Sequence, residues 1–125
     1  MRNSFGIDVM AAGFLEVDSV ETLEKFAQTP YVCRGGEYMV VSGANNILFC
    51  DNYKGVVLHP TMNSIDIIGN SGPKTQVRVG AGVEWDDFVA WSVNNNLWGL
   101  ENLSLIPGFV GAAPIQNIGA YGVEA

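Results

Sequence analysis

Beyond Arg78 the chain carries no positive charge: its six cations are Arg2, Lys25, Arg34, Lys54, Lys74 and Arg78. From Asn102 to Val123 there is no charged side chain of either sign. Charged residues make up only 15% of the 125, where an ordinary globular domain has about a quarter. The net charge of −7 argues against a nucleic-acid partner, whose phosphates call for a basic face. Any phosphate held by the last third must therefore be held by peptide N–H groups. Histidine is equally scarce. His59 stands alone, with no partner for a triad and no metal-ligand spacing around it, so it is expected at the surface or at a strand edge. Cys33 and Cys50 fit no metal spacing and are expected as free thiols of a cytoplasmic protein. The first twenty residues lack a continuous apolar core and contain Asp8 and Glu16, so no signal peptide is expected there.

A membrane-spanning run is also missing. The neutral tail is long enough, since about twenty apolar residues cross a bilayer. However, Pro107 and Pro114 interrupt it, Gly108, Gly111, Gly119 and Gly122 loosen it, and Gln116 and Asn117 sit inside it. A lipid-facing helix would leave these polar groups unsatisfied. The tail is expected to be loop and short helix packed on something.

What is present is apolar: 48% of the residues, enough for one domain or two small subdomains. Gly13–Val17 reads as a strand, capped at the next element by Asp18 or Ser19. Val20, Leu23, Phe26 and Ala27 recur at helical spacing, with Pro30 expected to close the helix. Tyr38–Val41 reads as a buried strand. Ile47–Phe49 and Val56–Leu58 are expected as short strands separated by a turn around Asn52 and Gly55. Ile65–Ile68 and Gln76–Val79 suggest a hairpin. In "VEWDDFVAWSVNNN", Trp85, Phe88, Val89 and Ser92 share one helix face, while Asp86, Asp87 and Ala90 are expected outward. The acids crowd the first turn, where the helix dipole favours them. A boundary near Pro60–Asn63 divides the chain into α+β units at residues 1–60 and 61–125.

"VGAGVEW" places Gly80-x-Gly82 between a strand and a helix, with Glu101 about twenty residues on, as a dinucleotide fingerprint would. Trp85 occupies the third glycine position and forbids the close helix–strand approach that glycine serves. A tight strand-to-helix turn is the favoured reading. "GNSGPKT" is not a phosphate loop: proline precedes Lys74 and a strand follows. "SGANNILF" is a turn whose Gly and Asn tolerate left-handed backbone, so it is either an anion nest of converging N–H groups or an ordinary turn. In the tail, small residues would let a flat aromatic body approach the backbone, with Gln116 and Asn117 supplying amides. An interface fragment has the same composition.

"IPGFVGAAPIQNIGAYGVE" (Ile106–Glu124) closely resembles the signature of the UDP-N-acetylenolpyruvoylglucosamine reductases. "NSFGID", "SGANNILF", "VGAGVEW" and "GLENLSLIPG" follow in the order of that family, so that the resemblance covers nearly the whole chain. It implies an α+β fold, an FAD-binding domain of the vanillyl-alcohol-oxidase (PCMH) type with two small subdomains, the second incomplete here, and FAD between them. It implies that Ser42, Gly43, Ala44, Asn45 and Asn46, followed by Ile47 and Leu48, cradle the FAD pyrophosphate through backbone amides. From the tail it implies that Ile106, Pro107, Gly108, Ala112, Ala113, Gln116, Asn117, Ile118, Gly119, Tyr121, Gly122 and Val123 line the ribityl chain and isoalloxazine.

In the reaction so implied, hydride passes from NADPH to the flavin and on to the enolpyruvyl group of a nucleotide sugar, and an enzyme acid protonates the adjacent carbon. The family's proton-donor serine, its arginine and glutamate, and its substrate domain lie downstream of anything matching Ala125. No catalytic residue and no metal ligand is therefore assigned here, and the uncharged tail is expected to self-associate. Ser42 and Ala44 stand where the family usually has glycine, and Asn45 where it has serine; the Ala44 methyl is expected to crowd the phosphate. Two other functions fit less of the chain. A related sugar or alcohol oxidase often links flavin to a histidine in this turn, which "SGANN" lacks, and a non-catalytic interaction module would use the tail as its interface.

Overall fold

The computed structural model describes residues 3–124; the chain divides between Met62 and Asn63 into two compact units. The first unit is built on strands β1 (Ala11–Val17), β2 (Tyr38–Val40) and β3 (Tyr53–Pro60), all parallel in the order β1-β3-β2. Parallel neighbours need crossovers. The first is supplied by α1 (Val20–Ala27) and α2 (Pro30–Cys33), the second by the irregular chain from Val41 to Asn52. The Ser19 hydroxyl caps α1 by accepting from the Thr22 N–H at 3.2 Å. Pro30 does not close that helix: α1 ends at Ala27, and Pro30 opens α2 behind the Thr29 cap. Proline's missing N–H costs nothing in a first helical turn.

β3 lies between the other two strands, so Val57, Leu58 and His59 are all buried, as in strands covered on both faces. Two expectations fail here. Gly55 is inside β3 rather than in a turn: a Cβ there would collide with the Glu37 carbonyl, to which Val56 donates at 3.0 Å. Ile47–Phe49 forms no strand; Ile47 and Phe49 instead pack on the buried cluster of Val41, Ala44 and Val57.

The second unit opens with the antiparallel hairpin β4 (Ile65–Ser71) and β5 (Lys74–Val79), turning at Gly72 with φ +60°. Helix α3 (Trp85–Asn94) buries Trp85, Val89 and Ser92. Single helical turns at Glu101–Leu103 and Val110–Ala112, the short α4 (Ala113–Gln116), and the small hairpin β6 (Gly119–Ala120) and β7 (Val123–Glu124) complete it. Trp85, Val89, Leu103 and Ala113 form its core, with Ile106, Val110, Ile118, Ala120 and Val123 packed against them. Part of the neutral tail is therefore core. Among the described residues, no helix is long and apolar enough to cross a membrane.

Candidate functional site

The turn Ser42–Asn46 springs from the carboxyl end of β2, where open parallel sheets hold their ligands. Val41 N–H donates to Leu58 C=O at 2.9 Å, and Val41 C=O meets His59 Nδ1 at 2.9 Å. The strand end is thereby held from two consecutive residues of β3. Ala44 adopts φ +49° with 4% exposure, a left-handed conformation unusual for a residue with a Cβ. Its methyl lies in the cluster with Val41 and Val57. It is part of the core beneath the turn. The turn's outer edge is tied to the amino-terminal segment: Ser4 N–H donates to Ala44 C=O at 3.4 Å, and Asn45 Nδ2 to Ser4 Oγ at 3.0 Å. The "NSFGID" motif closes on itself through Asn3, which donates to Ile7 C=O and accepts from its N–H.

The backbone N–H groups of Gly43, Ala44, Asn45 and Asn46 donate to no described residue. Gly43 and Asn45 are half-buried, Ala44 is buried and Asn46 exposed; successive amides without protein partners are what an anion nest offers. Beside this turn, a cavity of about 410 Å³ is walled by Phe14 and Glu16 of β1, Val57 and His59 of β3, and Ser42 and Phe49. Alternate residues of a strand share one face, and the register pairs Glu16 with His59. His59 is therefore neither a surface nor an edge histidine: it is 8% exposed, in the central strand, with its ring 5.7 Å from that of Phe14. Sequence reasoning missed Phe14, Glu16 and His59 as cavity-lining residues. Their period-two spacing was the available signal. Among the described residues no three His, Cys, Asp or Glu side chains are grouped to hold a metal, and Cys33 and Cys50 are exposed free thiols.

In the second unit, "VGAGVEW" acts as a template for the tail. Val83 N–H turns back to Gly80 C=O at 3.1 Å, and the chain then pairs with the segment that follows Leu103. Gly111 donates to Ala81 C=O, Val110 donates to Val83 C=O, and Trp85 N–H donates to Gly108 C=O, while Glu84 bridges to Phe109. Trp85 Nε1 donates to Leu103 C=O at 2.8 Å. Gly111 must be glycine, because a Cβ would sit 2.6 Å from that of Ala81. Glu101 is no ribose ligand here: its carboxylate accepts from Gly99 N–H at 2.6 Å, and hydrogen bonds from its own N–H and that of Gly99 lower its pKa.

Asp86, expected outward, is half-buried and engaged by the tail. Its Oδ1 accepts from Ser104 Oγ at 2.6 Å and from Leu105 N–H at 2.8 Å. These two bonds, the hydroxyl first, hold its carboxyl below the ordinary 3.8. A depressed pKa means that this link is fully present above the unfolded value and is lost as pH falls through the folded one.

The tail residues divide by direction. Ala113 is buried at 4%, and Ile106, Ile118 and Val123 pack against the core. Pro107, Asn117, Gly119, Tyr121 and Gly122 are exposed; Gly108, Ala112 and Gln116 are half-buried. Gly108 has φ +135°, a conformation open to glycine alone. Asn117 caps α4 in left-handed backbone, and Tyr121–Gly122 turn with φ +53° and +79°, as a two-residue hairpin loop with both central residues left-handed requires. The side-chain amides of Gln116 and Asn117 have no hydrogen bond to a described residue.

Residues 12–125 match the FAD binding domain family. Among curated proteins, the UDP-N-acetylenolpyruvoylglucosamine reductase of Bacteroides fragilis strain YCH46 is 48% identical over 98% of this chain and 36% of its own length. Those of Blochmanniella pennsylvanica and of Porphyromonas gingivalis strain W83 are 43% and 39% identical, again over 98% of this chain and 35% and 36% of their own. The chain spans about a third of the length of the curated relatives it matches.

Proposed function

From the premise that this chain belongs to the FAD-binding domain family, we propose that it is the flavin-holding part of a UDP-N-acetylenolpyruvoylglucosamine reductase. In the whole protein, NADPH would supply hydride and a nucleotide-sugar enolpyruvate would receive it, in the cytoplasm, on the path to UDP-N-acetylmuramate and peptidoglycan. The units around Met1–Met62 and Asn63–Ala125 correspond on this proposal to the two subdomains of a vanillyl-alcohol-oxidase type domain. The observation that carries it is the turn Ser42–Asn46. Four successive N–H groups without partners among the described residues, at the carboxyl end of a parallel strand, suit a pyrophosphate where no cation is needed.

Bound FAD would supply a hydride acceptor that is also a hydride donor. The chain's own residues bind and orient it. Gly43–Asn46 amides hold the pyrophosphate, with Ile47 and Leu48 following. Pro107, Gly108, Ala112, Gln116 and Asn117, with Gly119, Tyr121 and Gly122, present small or amide-bearing surface to the ribityl chain and ring. Ile106, Ala113, Ile118 and Val123 support that surface from the core side. No residue here is assigned to deliver a proton, and general acid catalysis needs a positioned donor. Titration with FAD, followed by flavin fluorescence, is expected to saturate weakly, because loops that order on binding cost affinity. NADPH oxidation with the enolpyruvyl substrate is expected to stay at the no-protein rate. Flavin that never saturates, or turnover clearly above that rate, overturns these expectations in turn.

The uncharged segment also exposes Leu105, Ile115 and Tyr121 at 83%, 86% and 91%. Contiguous apolar surface tends to find a partner, so the chain is expected to self-associate at high concentration. Light scattering that returns a monomer throughout speaks against this.

A further inference from the structure

Building on the flavin assignment above, we propose that Asp86 is a positioning residue for the flavin contact, setting the backbone of Leu105–Gly108 from which Pro107 and Gly108 are presented. The segment is tied on both sides. Before it, Leu103 is 0% exposed and its carbonyl is held by the Trp85 indole, and Ser104 N–H donates to Glu101 C=O at 3.2 Å. After it, Gly108, Val110 and Gly111 are paired with Trp85, Val83 and Ala81. From Leu105 to Pro107 the single backbone hydrogen bond among described residues is that from Leu105 N–H to Asp86.

Leu105 is held at φ +63° with its side chain 83% exposed. Leucine does not choose left-handed backbone unaided. A side chain in solvent cannot impose it through packing, so the restraint has to act on the backbone. Asp86 supplies one directly, and its second bond, from Ser104 Oγ at 2.6 Å, fixes the carboxylate while it acts. Hydrogen bonds to a charged acceptor are the strong ones. Asp86 itself is on the first turn of α3, beside the buried Trp85, so its position is set by the core. Rotation of the Leu105 peptide would shift the backbone that leads into Pro107, whereas Ile106 is packed on the core and Gly108 onward would stay paired.

The test uses this chain with FAD. Asp86→Ala is expected to weaken FAD binding about tenfold, the loss that removal of a charge-assisted hydrogen bond brings. Asp86→Asn, which keeps one acceptor oxygen, is expected to restore most of the affinity, and Ser104→Ala to fall between. Exchange of the Leu105 amide should accelerate in Asp86→Ala, while the amides of Val110 and Gly111 stay protected. The visible absorption band of bound flavin should shift in the same variant. A merely structural role would move the melting temperature and leave that band alone.

Equal FAD affinity in Asp86→Ala and the unaltered chain, with the Leu105 amide released, overturns the inference and leaves the flavin assignment standing. If Asp86→Ala does not fold, unchanged affinity in Ser104→Ala, with unchanged Leu105 exchange, overturns it instead. Failure of the unaltered chain to bind FAD overturns the flavin assignment and this inference with it.

Discussion

Gly43→Asp is expected to abolish measurable FAD binding, with a loss of at least about a hundredfold, while Asp87→Asn leaves it unchanged. A carboxylate at the second position of the turn would sit among the N–H groups of Gly43–Asn46, none of which has a partner among the described residues. At about 4 Å and an effective dielectric near 20, two like charges repel by about 4 kcal/mol. Solvent and salt reduce this, but about 2.7 kcal/mol is enough for two decades of affinity. The introduced carboxylate would also fill the nest with its own hydrogen bonds. Asp87 is exposed on the first turn of α3, where its charge is worth a few tenths of a kcal/mol through the helix dipole. Flavin titration of both variants, with circular dichroism to show that each is folded, decides the matter. Equal retention of FAD means that the turn is not the pyrophosphate site.

The second large effect is on stability. Trp85→Ala is expected to destabilise the unit Asn63–Ala125 by about 3–5 kcal/mol, the usual cost of deleting a buried tryptophan. Trp85 is 4% exposed and joins Val89, Leu103 and Ala113 in the core, with Phe88 packed edge-on at 6.0 Å between ring centres. Its removal also leaves the carbonyl of fully buried Leu103 without its donor, a further penalty of about 1–3 kcal/mol for an unsatisfied group. Trp85→Phe keeps one six-membered ring but loses the fused five-membered ring and its N–H, so it should cost less than Trp85→Ala while still leaving the Leu103 carbonyl without this donor. Urea unfolding followed by circular dichroism, together with exchange of the Val110 and Gly111 amides, separates the two variants. A loss under about 1 kcal/mol in Trp85→Ala would show that the ring is not central to this core.

The same tryptophan shows how far local reasoning reaches. Its place at the third position after Gly80-x-Gly82 excluded a dinucleotide fingerprint, and its spacing with Phe88, Val89 and Ser92 placed the inner face of α3. Both follow from short-range rules, steric in one case and periodic in the other. A helix cap at Asp18 or Ser19, which the structure gives to Ser19, and the β4–β5 hairpin were legible for the same reason, since their determining residues lie within a few positions of one another. The order of motifs from "NSFGID" to "IPGFVGAAPIQNIGAYGVE" pointed to the family, which the match over residues 12–125 supports as an FAD-binding domain.

Where sequence and structure part, the deciding contact comes from far along the chain. His59 reads as a lone histidine, yet β3 takes the middle of the sheet, and its ring meets Val41 C=O from 18 residues away. Gly55 resembles a turn glycine until the Glu37 backbone is pressed against it. Asp86 has the spacing of an exposed acid, but the tail returns and gives it Ser104 and Leu105, 18 and 19 residues on. Ala44 looks like an obstruction to phosphate in one dimension, and in three its methyl is part of the core beneath the turn. What the sequence by itself determined is the helices over Val20–Ala27 and Trp85–Asn94 and the hairpin over Ile65–Val79, and that no cation in the last third can hold a phosphate. Only the tertiary structure decided which strand is central, which carboxylate is a latch and which residues of the neutral tail are core. Those outcomes depend on pairings between distant segments, and propensity and periodicity carry no information about them.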